Sequence, residues 1–267
     1  MKTFFSLVFT TLWFTSFSQS DILITPFRVV LENGKSIEEL SVANTGSDTA
    51  RYTISFVQYK MNEDGQLQQI KDAEQGQFFA DKYVRVFPKS VVLAPKEAQI
   101  VRLQARMPAD AAPGEYRSHL YFRSAGEQKA IGFEAEGADG LGIELIPIYG
   151  ITIPVIIRVG ASDTKVALKD VKLQRGDQPS VNLTIARSGI HSIYGDIELM
   201  HYDNAGKETM VGFVRGVAVY TPLQGRKMKV PFNKATTPPT TGRLKLVYSF
   251  TASGKKTVIA EVEVPLN

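Results

Sequence analysis

A segment of 17 residues, 141–157, carries an aliphatic residue, a tyrosine or a proline at every odd position. These residues are Leu141, Ile143, Leu145, Pro147, Tyr149, Ile151, Ile153, Val155 and Ile157. Because side chains of a β-strand alternate between two faces, this period of two predicts a strand. At about 3.3 Å per residue the strand would span roughly 56 Å, which is longer than one small domain requires.

Two prolines restrict where this strand can lie in a sheet. Pro147 and Pro154 lack a backbone N–H group, which favours a sheet edge, a bulge or a strand that changes partners. A long apolar edge strand promotes aggregation unless another chain pairs with it. We therefore expect the segment to bind another protein by β-strand addition. A long buried strand that runs from a sandwich domain into its linker is an alternative explanation.

The remaining chain, from Ile22 onward, consists of short alternating runs separated by turn residues, which predicts an all-β protein. The number of runs fits two immunoglobulin-like β-sandwich domains, residues 21–159 and 160–267. The predicted strands of the first domain are 22–31, 37–44, 50–60, 84–93, 98–107, 115–123 and 141–157. Those of the second domain are 165–172, 181–186, 193–201, 210–220, 227–232, 243–250 and 257–264. Tyr116 follows Pro113 and Gly114 and has the position of a tyrosine corner, although a plain core tyrosine fits nearly as well.

The amino terminus has the pattern of a secretory signal. Lys2 precedes an apolar stretch over 4–14, and small residues, including Ser18 and Ser20, follow it. We expect cleavage after residue 20 and a secreted, soluble mature chain. The absence of cysteine excludes disulfides, thiol catalysis and thiolate metal sites. The chain has a net charge of +4, but it has no block of basic residues of the kind that nucleic-acid binding requires.

The residue types that carry enzyme chemistry do not form a recognisable motif. No two of the histidines, His119, His191 and His201, have metal-ligand spacing, and we expect them to be structural or exposed. The chain also lacks a nucleophile elbow, a phosphate-binding glycine loop and a dinucleotide fingerprint. We therefore expect no enzymatic activity, no metal and no cofactor.

Arg28 is the charged residue that the pattern marks most clearly. It interrupts an otherwise apolar first strand, where a guanidinium must reach solvent or bind an anion. A surface-facing arginine on an edge strand explains it equally well. Arg102 instead lies among alternating residues of a later strand, and we expect it to form a structural ion pair.

Five segments together resemble the periplasmic pilus-assembly chaperones of the chaperone-usher pathway, in particular their non-classical branch. They are 24–31 (ITPFRVVL), 40–46 (LSVANTG), 92–103 (VLAPKEAQIVRL), 113–122 (PGEYRSHLYF) and 151–158 (ITIPVIIR). The resemblance covers residues 21 to about 160, whereas the second domain contributes only its size and strand content. It implies two immunoglobulin-like domains arranged as a boomerang.

The resemblance also implies a function and a site. Such chaperones bind pilus or fimbrial subunits that lack their final strand, and they deliver the subunits to an outer-membrane usher. The donor strand corresponds here to Leu141, Ile143, Leu145, Pro147 and Tyr149. The arginine that binds the subunit's terminal carboxylate corresponds to Arg28, and an Arg fork suits a carboxylate geometrically.

One departure from the family pattern concerns the second basic anchor. Classical members carry a lysine where this chain has Pro154. Arg117 is a candidate substitute as a subunit carboxylate anchor. The resemblance implies no cofactor, no nucleic acid and no small-molecule substrate, and the free donor strand could support self-association. A secreted adhesin or carbohydrate-binding module of two sandwiches is the alternative function, and a structural pilin is a third.

Overall fold

A computed structural model describes residues 22–32, 34–125, 131–132, 144–145, 149–233 and 237–266, with only the backbone at 131–132 and 144–145. Within these ranges the regular structure is β-strand, apart from one 3-10 helix at Asp81–Tyr83. The prediction of an all-β chain is confirmed. The predicted leader, residues 1–20, lies outside the described residues.

Twelve described strands precede residue 160. They are β1 (Ile22–Thr25), β2 (Val29–Leu31), β3 (Ile37–Asn44), β4 (Ala50–Met61), β5 (Leu67–Ile70), β6 (Val84–Phe87), β7 (Ser90–Leu93), β8 (Ala98–Ala105), β9 (Gly114–Ser124), β10 (Ile131–Gly132), β11 (Glu144–Leu145) and β12 (Gly150–Val159). One sheet has the order β1-β3-β8-β6. The second has the order β2-β12-β9-β4-β5, with β7 also paired to β4, and β10 pairs only with β11. The two larger sheets form the first sandwich.

Two predicted strands are each divided by a proline. The sequence pattern predicted single strands over 22–31 and 84–93, but the chain changes sheets at Pro26 and again at Pro88. Proline cannot donate to a ladder, so the strand on either side pairs with a different partner. Strand β5 was not predicted.

The first hydrophobic core lies between these two sheets. Alternate residues of β9 and β12 contribute to it, and Leu120, Phe122, Ile153 and Val155 are almost completely buried. At the start of β9 the Tyr116 hydroxyl donates a hydrogen bond to the carbonyl of Ala112 at 3.1 Å. This bond back to the preceding loop confirms the tyrosine corner.

Seven described strands follow residue 160, and all seven were predicted. They are β13 (Lys165–Gln174), β14 (Ser180–Ser188), β15 (Ile193–Tyr202), β16 (Glu208–Val219), β17 (Gly225–Pro231), β18 (Gly242–Ala252) and β19 (Lys255–Leu266). A three-stranded sheet, β13-β14-β17, faces a four-stranded sheet, β16-β15-β18-β19. The fully buried Tyr248 lies in the core, and its hydroxyl donates to the Val217 carbonyl at 2.8 Å. The three-plus-four arrangement is typical of an immunoglobulin-like sandwich.

The two sandwiches meet across a small apolar cluster. Ile156 of β12 is fully buried against Ala218 and Tyr220, which belong to the second sandwich. This contact explains why an even-numbered residue of β12 is as apolar as its odd-numbered neighbours. The first sandwich also reaches the second through the turn after β4, where the Lys227 N–H donates to the Glu63 carbonyl at 2.6 Å.

Candidate functional site

Strand β12 has one fully paired side and one partly open side. Its ten residues all pair with β9. On the other side β2 pairs only with Val155, Ile156 and Ile157. Among the described residues no strand pairs with that side between Gly150 and Pro154, and we call this stretch the open edge.

The backbone direction at the open edge follows from the ladder with β9. The Ser124 N–H donates to the Tyr149 carbonyl at 3.0 Å. Because hydrogen-bonded pairs alternate along antiparallel strands, odd-numbered residues of β12 turn their polar backbone groups toward β9. Gly150 and Thr152 consequently direct their N–H and C=O groups outward, while Pro154 has no N–H to offer. The open edge therefore presents two residues that can donate and accept backbone hydrogen bonds.

Apolar side chains lie at both ends of the open edge. Tyr149 is 56% exposed and Ile151 is 38% exposed at its start. Phe27, which precedes β2, is 67% exposed. Ile153 between them belongs to the buried core. The exposed apolar surface thus accompanies the unpaired backbone, as strand addition requires.

The prediction of one continuous strand over 141–157 is wrong. Strand β12 begins at Gly150, Tyr149 lies outside it, and Leu145 pairs with Ile131 in the separate ladder of β10 and β11. Three predicted donor residues, Leu141, Ile143 and Pro147, lie outside the described residues. Part of the alternative explanation also holds, because Val155–Ile157 is paired on both sides.

Arg28 immediately precedes β2, so it lies beside the point where the pairing of β2 with β12 begins. Its Nη1 donates to the Tyr220 hydroxyl at 3.1 Å and its Nη2 to the Ser192 hydroxyl at 3.3 Å. Its guanidinium carbon is 4.9 Å from the ring centroid of Tyr194, a cation–π distance. A guanidinium has five N–H donors, so three of them have no partner among the described residues and are available to a ligand.

Arg117 on β9, the candidate second anchor, lies beside the same tyrosine as Arg28, but it is only 2% exposed. Its guanidinium carbon lies 4.3 Å from the ring centroid of Tyr220, and its Nη2 donates to the Thr221 carbonyl at 3.2 Å. Burial lowers the pKa of Arg117, and the nearby charge of Arg28 acts in the same direction. Arg28 and Arg117 therefore both contact Tyr220 of the second sandwich, Arg28 chiefly at its hydroxyl and Arg117 at its ring.

His119 is a member of this site that the sequence analysis did not assign to it. It is 1% exposed, and its ring lies edge-on to Tyr59 at 5.0 Å and to Tyr220 at 6.1 Å between centroids. The parity of β9 could have identified it, because residues two apart in a strand share a face and Arg117 was already a candidate. We call Arg28, Arg117 and His119 the basic cluster.

No carboxylate of the described residues forms an ion pair with the basic cluster. The buried Glu115 accepts instead from the Ser192 N–H at 2.8 Å and from its hydroxyl at 2.6 Å, and it pairs with Arg158 at 3.4 Å. By contrast, Arg102 forms its predicted ion pair with Glu39, 2.6 Å apart on the exposed face of the other sheet. Arg28 and Arg117 thus bring two positive charges together without an ion pair among the described residues, although the charge of Glu115 is near enough to act on the pKa of Arg117 in the upward direction.

The described residues hold neither a metal-binding cluster nor a membrane-spanning helix. They contain no group of three or more histidine, cysteine, aspartate or glutamate side chains that could hold a metal ion. The same ranges include no helix with the length and hydrophobicity needed to cross a membrane.

No protein-family profile and no curated protein sequence matches this chain. It is similar to the solved structure of the Pseudomonas aeruginosa chaperone CupB2, at 12% identity and a TM-score of 0.46, over 92% of this chain and 100% of that chain. The YadV chaperone gives 11% identity and 0.45, over 92% and 100%. The Salmonella enterica SafB chaperone, solved in complex with SafA pilin, gives 12% and 0.42, over 94% and 99%. Each TM-score is below 0.5, so a function for this chain has to rest on its own residues.

Proposed function

We propose that the protein is a periplasmic assembly chaperone that binds pilus subunits by donor-strand complementation at the open edge of β12. The observation that carries the proposal is the position of Arg28 at the end of that edge. An unpaired strand edge supplies main-chain affinity, and an arginine with free donors supplies a site for a terminal carboxylate.

The positions of these two features fix the direction of the guest strand. Strand β2 pairs in parallel with β12 from Val29 onward, and the pairing does not extend back to Arg28. A guest strand on the open edge would lie beside β12 in the position that β2 would have if its pairing continued before Val29. One end of the guest strand would then lie at Arg28. If that end is a carboxylate, the guest runs from Gly150 toward Pro154, parallel to β12.

The binding energy in this proposal comes from three sources and needs no nucleotide. Gly150 and Thr152 offer backbone hydrogen bonds, each worth about 0.5–1.5 kcal/mol net. The exposed Ile151 offers apolar surface worth about 25 cal/mol per Å² buried. The Arg28 fork adds a charge-assisted bond, which is roughly twice as strong as a neutral one.

Residues before Gly150 extend the same proposal. Leu141, Ile143, Leu145, Pro147 and Tyr149 would continue the donated surface when a subunit binds. Delivery to an outer-membrane usher and location in the periplasm are also proposed, on the basis of the sequence resemblance and the leader pattern. The open edge is equally suited to a second copy of this chain, which would compete with a subunit.

Co-expression with candidate pilin subunits, followed by purification of the tagged chaperone, tests the proposal. We expect a one-to-one complex whose recovery falls at least tenfold with Ile151→Glu. Ile100→Glu is the matched control, because Ile100 is also a half-exposed strand isoleucine, on the other sheet. Equal recovery of both variants, or no subunit recovered by the parent chain, would contradict the proposal.

A further inference from the structure

The basic cluster contains four buried nitrogen atoms that have no hydrogen-bond partner within the described part of the chain. They are Nε and Nη1 of Arg117 and both ring nitrogens of His119. Buried polar atoms are nearly always paired, and leaving one unpaired costs about 1–3 kcal/mol. Because a neutral imidazole has one N–H and one bare nitrogen, three of these four atoms are donors and the fourth can accept a proton. They lie on two same-face residues of one strand.

His119 is surrounded by cations and uncharged rings. Its neighbours are Arg117 on β9, Arg28 before β2, Pro154 opposite it on β12, Val57 opposite it on β4, and the rings of Tyr59 and Tyr220. Arg117 and Arg28 are the charged groups among these neighbours. Pro154 contributes neither a side-chain charge nor an N–H, so at this position β12 offers His119 neither an ion pair nor a hydrogen-bond donor.

This environment keeps His119 neutral in the free protein. Burial lowers the pKa of its imidazole to about 3, and the charges of Arg117 and Arg28 act in the same direction. A carboxylate that binds at Arg28 would offset the charge of that arginine and place a negative charge near the ring. An opposite charge within about 4–6 Å favours a protonated imidazole, typically by one to three pKa units. Starting from about 3, this shift would bring the pKa of His119 to about 4–6, so that the ring is protonated in mildly acidic solution.

We propose that His119 takes up a proton from solvent when a terminal carboxylate binds at Arg28, which makes carboxylate capture proton-coupled. This inference rests on the proposed function. The proton is bound by a ring nitrogen that has no partner in the free chain. His119 is a positioning residue here, because it acts through the charge of Arg28 and not by contact with the subunit.

The direct test is an NMR titration of chaperone labelled at histidine, free and in the complex recovered by co-expression. We expect the pKa of His119 to rise by about one unit or more in the complex. An unchanged pKa of His119 in a stable complex would overturn the proton coupling while leaving the chaperone function in place.

A binding series gives a second readout that a purely structural role would not change. Because the pKa of His119 is about 3 in the free chain and would be higher by one to three units in the complex, the affinity of the parent chain for the subunit should rise as the pH falls from about 6 toward 4, by up to about tenfold per unit. His119→Leu should bind with an affinity that is nearly independent of pH over the same range. Parallel pH profiles for the two proteins would contradict the inference.

A third experiment requires no subunit. Arg28→Gln removes one of the two cations near His119 and should raise the pKa of His119 in the free protein. An unchanged value would show that Arg28 and His119 are not coupled. If no subunit is ever recovered, the proposed function fails, and the carboxylate-linked step fails with it even where this third experiment succeeds.

Discussion

At the scale of single residues, the anchor is assembled from parts that lie far apart in the sequence. Arg28 was predictable because a charge interrupts an apolar strand. Its contacts were not, since Ser192 and Tyr220 are 164 and 192 positions away and belong to the second sandwich. Sequence patterns report which side chains share a face of one strand, but not which surfaces of two sandwiches meet.

The first prediction concerns the shape of the anchor. Arg28→Lys keeps the positive charge but loses the planar fork that binds a carboxylate with two parallel bonds. We expect at least a tenfold loss of complex in the co-expression assay, and a complete loss with Arg28→Ala. Arg102→Ala, an exposed arginine on the other sheet, is the control and should bind normally. Normal binding by Arg28→Ala would remove this residue from the site.

A second prediction concerns acid sensitivity. The pKa of His119 is about 3 in the folded chain and about 6.5 when unfolded, so the unfolded state takes up its proton first. The stability that depends on neutral His119 is complete above pH 6.5 and falls as the pH drops toward 3. At pH 5 the loss is about 2 kcal/mol. Urea unfolding at pH 7.5 and pH 5 should show this loss in the parent chain and a smaller one in His119→Leu.

At the scale of strands, alternation predicted most elements and failed at definite points. All seven strands of the second sandwich were found, whereas the strands over 22–31 and 84–93 were each divided at a proline. The period of two in 141–157 identified β12 but not its start at Gly150. Alternation also gives no account of Ile156, an apolar residue on the face that should be polar, because the second sandwich buries it.

A prediction at this scale tests the backbone of the open edge. Thr152→Pro removes an outward N–H without removing a bond to β9. We expect the variant to keep its fold by circular dichroism and to lose subunit binding about tenfold, since one hydrogen bond and its geometry are lost. Thr152→Val retains the N–H and should bind like the parent chain. Similar binding by the proline variant would exclude this stretch as the pairing surface.

At the scale of the whole molecule, a buried polar junction holds the two sandwiches together. Glu115 of the first sandwich binds both the backbone and the hydroxyl of Ser192, which also accepts a hydrogen bond from Arg28. Arg158 completes the junction by donating to the Ser192 carbonyl at 2.8 Å. The anchor and the domain junction therefore share one serine. The boomerang angle itself stays a prediction.

Stability measurements can separate this junction from surface ion pairs. Glu115→Ala leaves the N–H and the hydroxyl of Ser192 without their buried acceptor and removes one of the partners of Arg158. We expect a loss of about 3 kcal/mol in the free energy of unfolding. Glu263→Ala removes a half-exposed partner of Arg243 and should cost less than about 1 kcal/mol. Equal losses in urea unfolding would mean that the junction contributes no more than a surface contact.

The central claim is that β12 receives a foreign strand along its open edge, and amide hydrogen exchange tests it most directly. In the free protein the amides of Gly150 and Thr152 should exchange fast, while those of Ile151 and Ile153, which face β9, exchange slowly. Subunit binding should slow Gly150 and Thr152 selectively. Slow exchange at both residues in the free chain, or fast exchange at both in the complex, would contradict the account.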